Sequence, residues 1–557
     1  MKDYKIEYES WLVNAVEDGL IPELKLMTEA QIEDAFYRDL EFGTGGLRGV
    51  IGAGTNRMNV YTVRKASQGL ANYIKRHYPD DPSIAVSYDS RIKSDLFSLV
   101  ASGVFAANGI KVWRYEELMP TPCLSYAVRA LGCSAGIMIT ASHNPSKYNG
   151  YKVYGADGCQ ITTEAAAEIL AEIEKIDIFE GVNYMPADSA FVRGLLKAVP
   201  DKVYDSFIGE IKAQSVLFGD EIDRNVAIVY TPLNGTGLKP VTRALQETGF
   251  TNITVVEEQR LPDGNFPTCP YPNPEIREAM ELGLKYCEKT GADLLLATDP
   301  DADRCGIAVK TAAGEYQLLT GNEVGLLLLD FICAQRIKHG KMPKDPVFVK
   351  TIVTMDLAEK IASHYGVKTV NVLTGFKFIG EVIGRMEDAR NYILGFEESY
   401  GYLTGTYVRD KDAVNAAYMI CEMFAYYKTR GVSLLEKLEE IYRDYGYCLN
   451  TLHSYEFPGS AGMEKMAEIM RVFHEGLDTV GGMKVVRTED YLPGLNGLPK
   501  SDVLKYYFEA EAVSGSLVIR PSGTEPKLKA YISVTVPNRD AAEEVEKAIK
   551  ADLEARL

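Results

Sequence analysis

A serine, a histidine and a lysine stand close together after the apolar stretch SAGIMIT. Ser142 and His143 follow this stretch within three residues, and Lys152 comes ten residues after Ser142. A serine at a strand end with charged neighbours can act as a nucleophile or carry a phosphoryl group. The letters Ser-His-Asn-Pro are also typical of a turn, and no Gly-x-Ser-x-Gly elbow marks a hydrolase nucleophile. Taken alone, the segment leaves the chemical and the structural interpretation equally open.

Three aspartates occupy alternate positions after a second apolar run, ADLLLAT. Asp299, Asp301 and Asp303 can point at one centre, and like charges this close are costly unless a cation lies between them. Carboxylate oxygens favour Mg²⁺ over zinc. An EF-hand would need Gly and Glu where the sequence has Arg304 and Lys310. A solvated acidic turn is the alternative, but the apolar run anchors the loop to a buried strand, and we predict a Mg²⁺ site.

A third polar loop follows the β-branched run Tyr392–Phe396 in the segment GFEESYGY. Glu397 and Ser399 can bind a sugar, because each carboxylate oxygen accepts hydrogen bonds from vicinal hydroxyl groups. The alternative is an exposed helix start, where Glu397 and Glu398 would favour the helix dipole. The residues alone do not choose between the two interpretations. Arg409 follows nearby as a candidate cation for an anionic ligand.

A fourth loop, RPSGTEP, lies between two predicted strands near the C-terminus. Arg520, Ser522 and Thr524 surround Gly523, whose neighbouring backbone N–H groups can form an anion-binding nest. A hairpin turn alone would not need Arg, Ser and Thr together. The loop therefore favours binding of a phosphate monoester.

The glycine-rich segment GTGGLRG, residues 43–49, gives a weaker signal. It fails the dinucleotide pattern Gly-x-Gly-x-x-Gly because its sixth position is Arg48, and no Walker A lysine pattern occurs. Arg48 remains a candidate phosphate contact. The histidines other than His143 have no evident partner, and we expect ordinary surface or core roles for His77, His339, His364, His453 and His474.

These loops must be positioned by strands and helices, and the chain alternates short β-branched runs with longer helical patterns. This alternation predicts an α/β fold with largely parallel pairing. Thr28 and Gln31 are spaced as a capping box. After residue 444 the pattern changes to strands at Ser516–Arg520 and Ala530–Val536 and a helix at Asp540–Leu557. We predict four domains, at 1–205, 206–318, 319–444 and 445–557. The predicted strands of the α/β part are Ile84–Tyr88, Ile137–Thr140, Val226–Tyr230, Leu294–Thr298, Val347–Val353, Thr369–Leu373 and Tyr392–Phe396.

Length and charge limit the class of protein. The 557 residues suit about three to four domains. A formal net charge of −18 argues against DNA or RNA as the main partner. No apolar stretch approaches the roughly 18 residues of a membrane helix, and the charged N-terminus does not resemble a signal peptide, so we expect a cytoplasmic protein without a membrane partner. Nine cysteines without a C-x-x-C pair predict scattered buried thiols and no zinc site.

The four motifs TASHNP, Asp-x-Asp-x-Asp-Arg, GFEES and RPSGTEP together resemble those of the α-D-phosphohexomutase family. They occur in that family's order, and the resemblance spans roughly residues 40–535. It implies three related α/β domains with mixed sheets and a C-terminal α+β domain with an antiparallel sheet. The N-terminal extension and the FEESYGY loop are most similar to the larger phosphoglucomutase and phosphopentomutase-like branch.

The resemblance also implies roles by position. Ser142 matches the serine that carries the transferable phosphoryl group, and its oxygen completes the Mg²⁺ site. Arg48 and Arg409 remain candidate cations from the residues alone. The remaining matches are Asp299, Asp301 and Asp303 as Mg²⁺ ligands, His143, Lys152 and Arg304 at the reacting phosphate, Lys377, Glu397 and Ser399 at the sugar, and Arg520, Ser522, Gly523 and Thr524 at the distal phosphate.

The implied activity is interconversion of glucose 1-phosphate and glucose 6-phosphate, with glucose 1,6-bisphosphate as intermediate and activator. A phosphomannomutase or a phosphopentomutase with the same mechanism is the alternative among enzymes. From another class, a non-catalytic phosphosugar-binding regulator would need neither Ser142 nor the aspartates. A phosphatase would have no evident need for a second phosphate loop at Arg520.

Two details of the mechanism stay open in the sequence. His143 and Lys152 are both candidate general bases. An extra residue, Tyr400, follows the sugar motif, so Tyr402 stands where family members often have a histidine. Because a bisphosphate intermediate must reorient without escaping to water, we also expect the fourth domain to close over the cleft.

Overall fold

The strands form four sheets that follow one another along the chain. A computed structural model describes residues 3–43, 45–457, 460–521 and 527–557. Within these residues the sheets have seven, five, four and six strands. We name the four domains in chain order after these sheets.

The first domain surrounds its seven-stranded sheet with helices. Its elements are α1 (Tyr4–Asn14), α2 (Leu20–Leu26), α3 (Glu29–Phe36), β1 (Phe42–Gly43), β2 (Gly46–Val50), α4 (Val60–His77), β3 (Ser83–Tyr88), α5 (Ser94–Ala107), β4 (Lys111–Arg114), α6 (Thr121–Ala130), β5 (Ala135–Ile139), β6 (Tyr148–Gly155), α7 (Thr163–Ile173), α8 (Ala187–Val192) and β7 (Leu196–Ala198). The strand order is β1-β2-β6-β5-β3-β4-β7, with β5, β3, β4 and β7 parallel and the other pairs antiparallel.

The second domain has a smaller mixed sheet. Its elements are α9 (Asp201–Lys212), β8 (Ile228–Thr231), α10 (Leu238–Glu247), β9 (Ile253–Val255), α11 (Glu257–Arg260), α12 (Arg277–Thr290), β10 (Leu294–Thr298), β11 (Cys305–Lys310) and β12 (Tyr316–Leu319). The order is β12-β11-β10-β8-β9, with β10, β8 and β9 parallel. Every residue of β10 is buried.

The third domain repeats the mixed arrangement. Its elements are α13 (Gly321–Lys338), β13 (Val347–Thr351), α14 (Leu357–His364), β14 (Lys368–Val372), α15 (Phe376–Arg385), a 3₁₀ turn (Ala389–Asn391), β15 (Tyr392–Glu397), β16 (Gly401–Leu403), α16 (Ala413–Thr429) and α17 (Leu434–Tyr445). The order is β14-β13-β15-β16, and only the β15–β16 pair of this described sheet is antiparallel.

The fourth domain is built differently, on an antiparallel sheet. Its elements are β17 (Tyr447–Glu456), α18 (Ser460–His474), β18 (Thr479–Val480), β19 (Met483–Asp490), β20 (Leu504–Ala510), β21 (Val513–Pro521), β22 (Lys527–Val536) and α19 (Arg539–Arg556). The order is β17-β22-β21-β20-β19-β18. Three α/β domains with mixed sheets and this antiparallel domain confirm the predicted fold class.

Most predicted elements agree with the structure to within two residues. The capping box forms, because Thr28 and Gln31 each bind the other's backbone. The predicted strand Val347–Val353 is too long and ends at Thr351, since Ile352 and Val353 pack against the fourth domain instead. No helix among the described residues is both long and apolar enough to cross a bilayer.

The first three domains share one continuous apolar core. Leu124 of α6, Leu245 of α10 and Leu328 of α13 are fully buried in the same cluster. The fourth domain has its own core, around Phe473 and Ile532. The loops of the first three domains are therefore fixed relative to one another by packing. All nine cysteines are buried free thiols, as predicted.

The expectation that five histidines lack partners is wrong for four of them. His77, His339, His453 and His474 each lie within 3.2 Å of a carboxylate. His474 is bound from both sides, with Nδ1 3.0 Å from Asp490 and Nε2 2.8 Å from Asp502. Such pairs join residues distant in sequence, so sequence spacing could not predict them.

The His474 pair predicts a pH-dependent contribution to stability. Partial burial opposes protonation, but hydrogen bonds to Asp502 and Asp490 outweigh it and raise the pKa of His474. Stabilisation by this group is complete below its unfolded pKa of about 6.5 and is lost as pH rises through the higher folded value. His474→Gln should cost about 1–2 kcal/mol below about pH 6 and less above about pH 9.

Urea unfolding of wild type and variant at both pH values measures this difference. His364→Gln is the control, because His364 contacts tyrosine rings and is exposed. Equal destabilisation by His474→Gln at the two pH values would contradict the charged pair.

Candidate active site

Three of the four chemically unusual loops meet where strands end. Ser142 follows β5, the aspartates follow β10, and Glu397 ends β15. In open α/β sheets ligands bind beyond the carboxyl ends of the strands. The Ser142 hydroxyl of the first domain donates a hydrogen bond of 2.9 Å to Asp299 of the second. The predicted phosphoryl carrier and the predicted metal loop are thus in direct contact.

The three aspartates form a compact buried cluster. One carboxylate oxygen from each of Asp299, Asp301 and Asp303 lies within 4.8 Å of the other two. All three are at most 1% exposed. Oδ1 of Asp301 and Oδ1 of Asp303 are buried without a hydrogen-bond partner among the described residues. Orphaned carboxylate oxygens are the hard ligands a divalent cation needs, so these residues fit a Mg²⁺-type ion.

The pKa values in the cluster show its dependence on positive charge. Burial, followed by the charges of Asp303 and Asp301, raises the pKa of Asp299 well above its usual range. Burial acts in the same direction on Asp301, but Lys152, a hydrogen bond with Asp299 and Lys411 together outweigh it and lower the pKa of that carboxyl. A nearby cation thus decides which carboxyls stay ionised.

Two lysines supply that charge. Lys152 Nζ lies 2.8 Å from Asp301 and 3.3 Å from Asp303. Lys411 Nζ lies 2.9 Å from Asp303, and the lysine is partly buried. Lys411 is a site residue that our sequence prediction missed, although it stands two residues after the predicted Arg409.

Arg409 and Arg304 are held by other partners. Arg409 donates to the carbonyl oxygens of Val408, at 3.1 Å, and of Thr406, so its guanidinium turns onto its own loop. Arg304 pairs with Glu275 and has Nε 3.9 Å from Asp303 Oδ1. The structure thus brings Arg304 to the aspartate cluster and directs Arg409 away from it.

The loop that presents Ser142 is held in place by hydrogen bonds with two buried charged residues, Arg91 and Asp89. Ser142 has φ of 51°, a left-handed conformation that costs of order 1–3 kcal/mol. Arg91 donates to Pro145 O at 3.0 Å and Tyr148 O at 3.1 Å, and also to the carbonyl oxygens of Ser142 and Asn144. Asp89 accepts from Thr140 Oγ1 at 2.6 Å. These bonds maintain a strained loop in one geometry.

Our sequence prediction also missed Asp89 and Arg91. Both follow the carboxyl end of β3, so the strand-end rule that selected Ser142 would have found them. Their letters, Tyr-Asp-Ser-Arg, match no catalytic pattern. Their role becomes visible only when the fold brings β3 beside β5.

Arg91→Lys should therefore slow catalysis with little change in substrate affinity. One ammonium cannot reach four carbonyl oxygens that a planar guanidinium contacts together. A misplaced reacting group costs about 10²-fold, so we expect kcat to fall on that scale. Steady-state kinetics measure this, with Arg57→Lys as an arginine control that binds Asp34 at the surface. An unchanged kcat would contradict the locking role.

His143 and Arg48 lie beside Ser142. His143 Nδ1 is 3.1 Å from Ser142 Oγ. Burial, then the charges of Arg304 and Arg48, lowers the pKa of His143 well below its usual range, which favours the neutral ring. Arg48, on β2, donates to Asn144 Oδ1 at 3.1 Å. Both residues thus contact the serine loop, one as a possible proton acceptor and one as a cation.

The segment around Glu397 is a tight turn between two strands, so the alternative of a helix start is wrong. Glu397 is 5% exposed, and its Oε1 accepts from the Gly375 N–H at 3.0 Å. Burial raises the pKa of Glu397 to about 7, Lys411 opposes the rise and Glu398 adds to it. Ser399 is half-buried in the turn. We call residues 397–400 the sugar loop.

Tyr402 and Lys377 flank the sugar loop differently. Tyr402 is 1% exposed, its hydroxyl donates to Gly321 O at 3.3 Å, and its ring packs near Phe396. This tyrosine therefore belongs to the core. Lys377 lies in the first turn of α15, where burial lowers its pKa.

The fourth loop is described only at its edges. Arg520 and Pro521 end β21, and Lys527 begins β22. Ser522, Gly523 and Thr524 lie outside the described residues. Of the residues predicted to hold the distal phosphate, Arg520 is the one that the structure describes.

Comparison with known proteins agrees with this geometry. Models of the phosphoglucomutase/phosphomannomutase α/β/α domains I, II and III match residues 39–179, 205–314 and 320–445. A phosphoglucomutase of Staphylococcus saprophyticus is 37% identical over 546 residues, 95% of this chain and 97% of its own length. One of Staphylococcus aureus (strain USA300) is 36% identical over 549 residues, 96% and 97% of the two chains.

Solved structures share the fold at lower sequence identity. The parafusin phosphoglucomutase of Paramecium superposes with a TM-score of 0.68 at 18% identity, covering 93% of this chain and 95% of its own. A phosphoglucomutase/phosphomannomutase family protein of Burkholderia thailandensis has a TM-score of 0.67 at 16% identity, covering 92% and 96%. The chain therefore belongs to the α-D-phosphohexomutase family of phosphoglucomutases and phosphomannomutases, as its four ordered motifs predicted.

Proposed function

We propose that the protein is a phosphoglucomutase that interconverts glucose 1-phosphate and glucose 6-phosphate through phosphorylated Ser142. The observation that carries the proposal is the Ser142 hydroxyl, held 2.9 Å from an aspartate of the buried cluster. Neither a binding protein nor a structural protein needs a serine in a strained loop against a cation site. The relatives with 36–37% identity over nearly the whole chain are named phosphoglucomutases, which favours glucose as the sugar.

The proposed reaction transfers a phosphoryl group twice. Phospho-Ser142 gives its phosphoryl group to the free hydroxyl of the bound hexose monophosphate, which loses a proton. The glucose 1,6-bisphosphate formed then turns over in the site. Its other phosphoryl group returns to Ser142, and the hydroxyl that it leaves regains a proton. Sugar and enzyme thus each end with the number of phosphates they started with.

The residues mainly neutralise and position charge. Unit charges 4 Å apart interact by about 4 kcal/mol at an effective dielectric of 20, and two phosphates multiply that severalfold. Lys152, Lys411 and Arg304 lie around the aspartate cluster to meet the reacting phosphate, and Arg520 would hold the distal one. A Mg²⁺ ion held by Asp299, Asp301 and Asp303 would supply Lewis-acid stabilisation of the phosphoryl oxygens.

Of the two candidate bases, the geometry favours His143. Lys152 Nζ is bound by two carboxylates, which keep it protonated against the effect of burial. His143 has a ring nitrogen 3.1 Å from Ser142 Oγ, and its lowered pKa favours the neutral ring. A neutral imidazole at that point can accept the proton of the attacking sugar hydroxyl.

Substrate preference tests the choice of sugar. Turnover of glucose, mannose and ribose 1-phosphates should be fastest with the glucose ester, at equal protein and Mg²⁺ concentrations. A strong preference for mannose or for the pentose would replace this function by phosphomannomutase or phosphopentomutase. Binding of all three esters without any turnover would favour a phosphosugar-binding regulator.

A further inference from the structure

One loop of the third domain contacts the sugar loop at one end and the fourth domain at the other. We call residues 351–356 the bridging loop. At its first end the hydroxyls of Thr351 and Thr354 lie 2.8 Å apart, and Glu398 Oε2 lies 3.4 Å and 3.3 Å from them. The bridging loop therefore holds the carboxylate adjacent to Glu397.

At its other end, Asp356 binds two strands of the fourth domain. Its Oδ2 accepts a hydrogen bond of 2.6 Å from Ser516 of β21. Its Oδ1 accepts one of 2.7 Å from Lys505 Nζ of β20, and Lys505 Nζ also donates to Ile352 O at 2.9 Å. Lys350 Nζ lies 3.2 Å from the same carboxylate. Asp356 of the third domain thus binds two residues of the fourth domain, Lys505 and Ser516.

The charges at this junction are balanced, and its two lysines are buried. Lys350 and Lys505 are at most 1% exposed. Lys350 also lies 3.1 Å from Glu359, so two cations face two carboxylates. Beside them, Ile352 and Val353 pack in one apolar cluster with Val518 of β21. Breaking the junction would expose apolar surface and leave buried lysines unpaired, so a closing movement of the fourth domain would turn about this junction and keep it intact.

The alternation of side chains along β21 connects this junction to the substrate. Residues two apart on a strand share a face, so Ser516, Val518 and Arg520 point the same way. Ser516 and Val518 contact the third domain, and Arg520 therefore faces it as well. On the neighbouring β22, burial raises the pKa of Tyr531 to about 12, with the charge of Glu398 adding to the rise and that of Arg520 opposing it. The charges of Arg520 and of Glu398 in the sugar loop thus both affect the pKa of Tyr531.

We propose that Asp356 is a positioning residue that anchors the fourth domain beside the sugar loop and so limits how far Arg520 can lie from that loop. This role rests on the proposed function, in which one loop holds the sugar and the other its distal phosphate. The bridging loop connects these two loops, because it contacts Glu398 of the sugar loop at one end and Ser516 of β21 at the other. Asp356 therefore limits the length of phosphorylated sugar that both loops can bind at once.

Ser516 offers the cleanest test, because its replacement leaves both ion pairs of Asp356 in place. Ser516→Ala should raise KM for glucose 1-phosphate about tenfold, the equivalent of one hydrogen bond to a charged group, with a smaller change in kcat. Before substrate is added, phosphate on Ser142 should be at the wild-type level. During turnover more glucose 1,6-bisphosphate should leave the variant, and each release leaves Ser142 unphosphorylated until added glucose 1,6-bisphosphate restores the group. Ser516→Thr, which keeps the hydroxyl, should restore KM.

The matched control is Ser533→Ala. Ser533 pairs with Ser516 across β21 and β22, but its hydroxyl contacts Cys448 within the fourth domain. Asp356→Asn is a second variant with a larger expected rise in KM. It leaves the buried lysines short of one negative charge and can fail to fold, so the Ser516 series decides.

Two different failures can be told apart. An active wild type in which Ser516→Ala and Ser533→Ala have the same KM and the same release of bisphosphate would overturn the role of Asp356 alone. A lower melting temperature of Ser516→Ala without a change in KM would overturn it too. A wild type that neither turns over nor carries phosphate on Ser142 would overturn the proposed function itself.

Discussion

Ser142→Ala is expected to abolish the mutase reaction. The variant lacks the oxygen that carries the phosphoryl group between the two positions of the sugar, and no other described hydroxyl contacts Asp299. Removing the nucleophile from a covalent mechanism costs orders of magnitude, so kcat should fall by at least about 10⁴-fold. A coupled assay for glucose 6-phosphate formation measures the loss.

The fold should survive this substitution. Alanine and serine each carry a Cβ that disfavours the left-handed backbone found at residue 142, so the substitution should change the strain little. Ser87→Ala is the matched control, because Ser87 is a buried serine of the same domain whose hydroxyl donates to Met119 O. Full mutase activity in Ser142→Ala, or an equal loss in Ser87→Ala, would contradict the assignment.

Removing divalent cations is expected to stop catalysis and to lower stability together. The three buried carboxylates repel one another, and two of their oxygens lack partners among the described residues. A bound cation supplies several kcal/mol of transition-state stabilisation, so chelation should reduce activity by at least about 10³-fold. Mg²⁺ at 100 times its Kd should also stabilise the folded protein by about 2.7 kcal/mol.

The Asp301→Asn variant tests whether the losses of activity and stability come from the bound cation at the aspartate cluster or from a general change in the charge of the protein. The variant should lose both the Mg²⁺-dependent rise in melting temperature and the activity, because one ligand and its charge are gone. Asp177→Asn is the control, since Asp177 accepts backbone hydrogen bonds in a turn of the first domain, away from the aspartate cluster. A Mg²⁺-induced rise in melting temperature that persists in Asp301→Asn would rule out the aspartate cluster as the metal site.

Residues that depend on local pattern could be predicted from the sequence. The aspartates alternate after an apolar run, and a strand that is buried throughout places the following loop at the sheet edge. The hydrophobic pattern, the spacing of the polar residues and their position after a strand are thus enough to predict Ser142 and the metal loop. Asp89 and Arg91 also follow a strand end, that of β3, but they belong to none of the four motifs.

Residues that depend on tertiary contacts could not be predicted. Lys411 reaches Asp303 over more than a hundred residues of sequence. Tyr402 looked like a replaced site residue, yet the packing of the third domain turns it into the core. Asp356 has no motif at all, and its role follows only from the contact between two domains.

The overall charge of −18 describes the protein surface and says little about the cleft. Around the aspartate cluster, Lys152, Lys411 and Arg304 offset the carboxylates, and Arg48 adds a further cation beside Ser142. A bound Mg²⁺ would shift the balance further toward positive. The cleft can therefore attract a phosphorylated sugar although the molecule as a whole repels anions.

Mass spectrometry of the intact protein tests the central claim most directly. After incubation with glucose 1,6-bisphosphate and Mg²⁺, wild type should carry one phosphoryl group, and peptide mapping should place it on Ser142. Subsequent turnover of glucose 1-phosphate with an isotopic label in its phosphate should place that label on Ser142, because each turnover passes the enzyme's phosphoryl group to the sugar and takes the sugar's other group in return. A protein that stays unphosphorylated, or that is phosphorylated at another residue while Ser142 remains unmodified, would contradict the account.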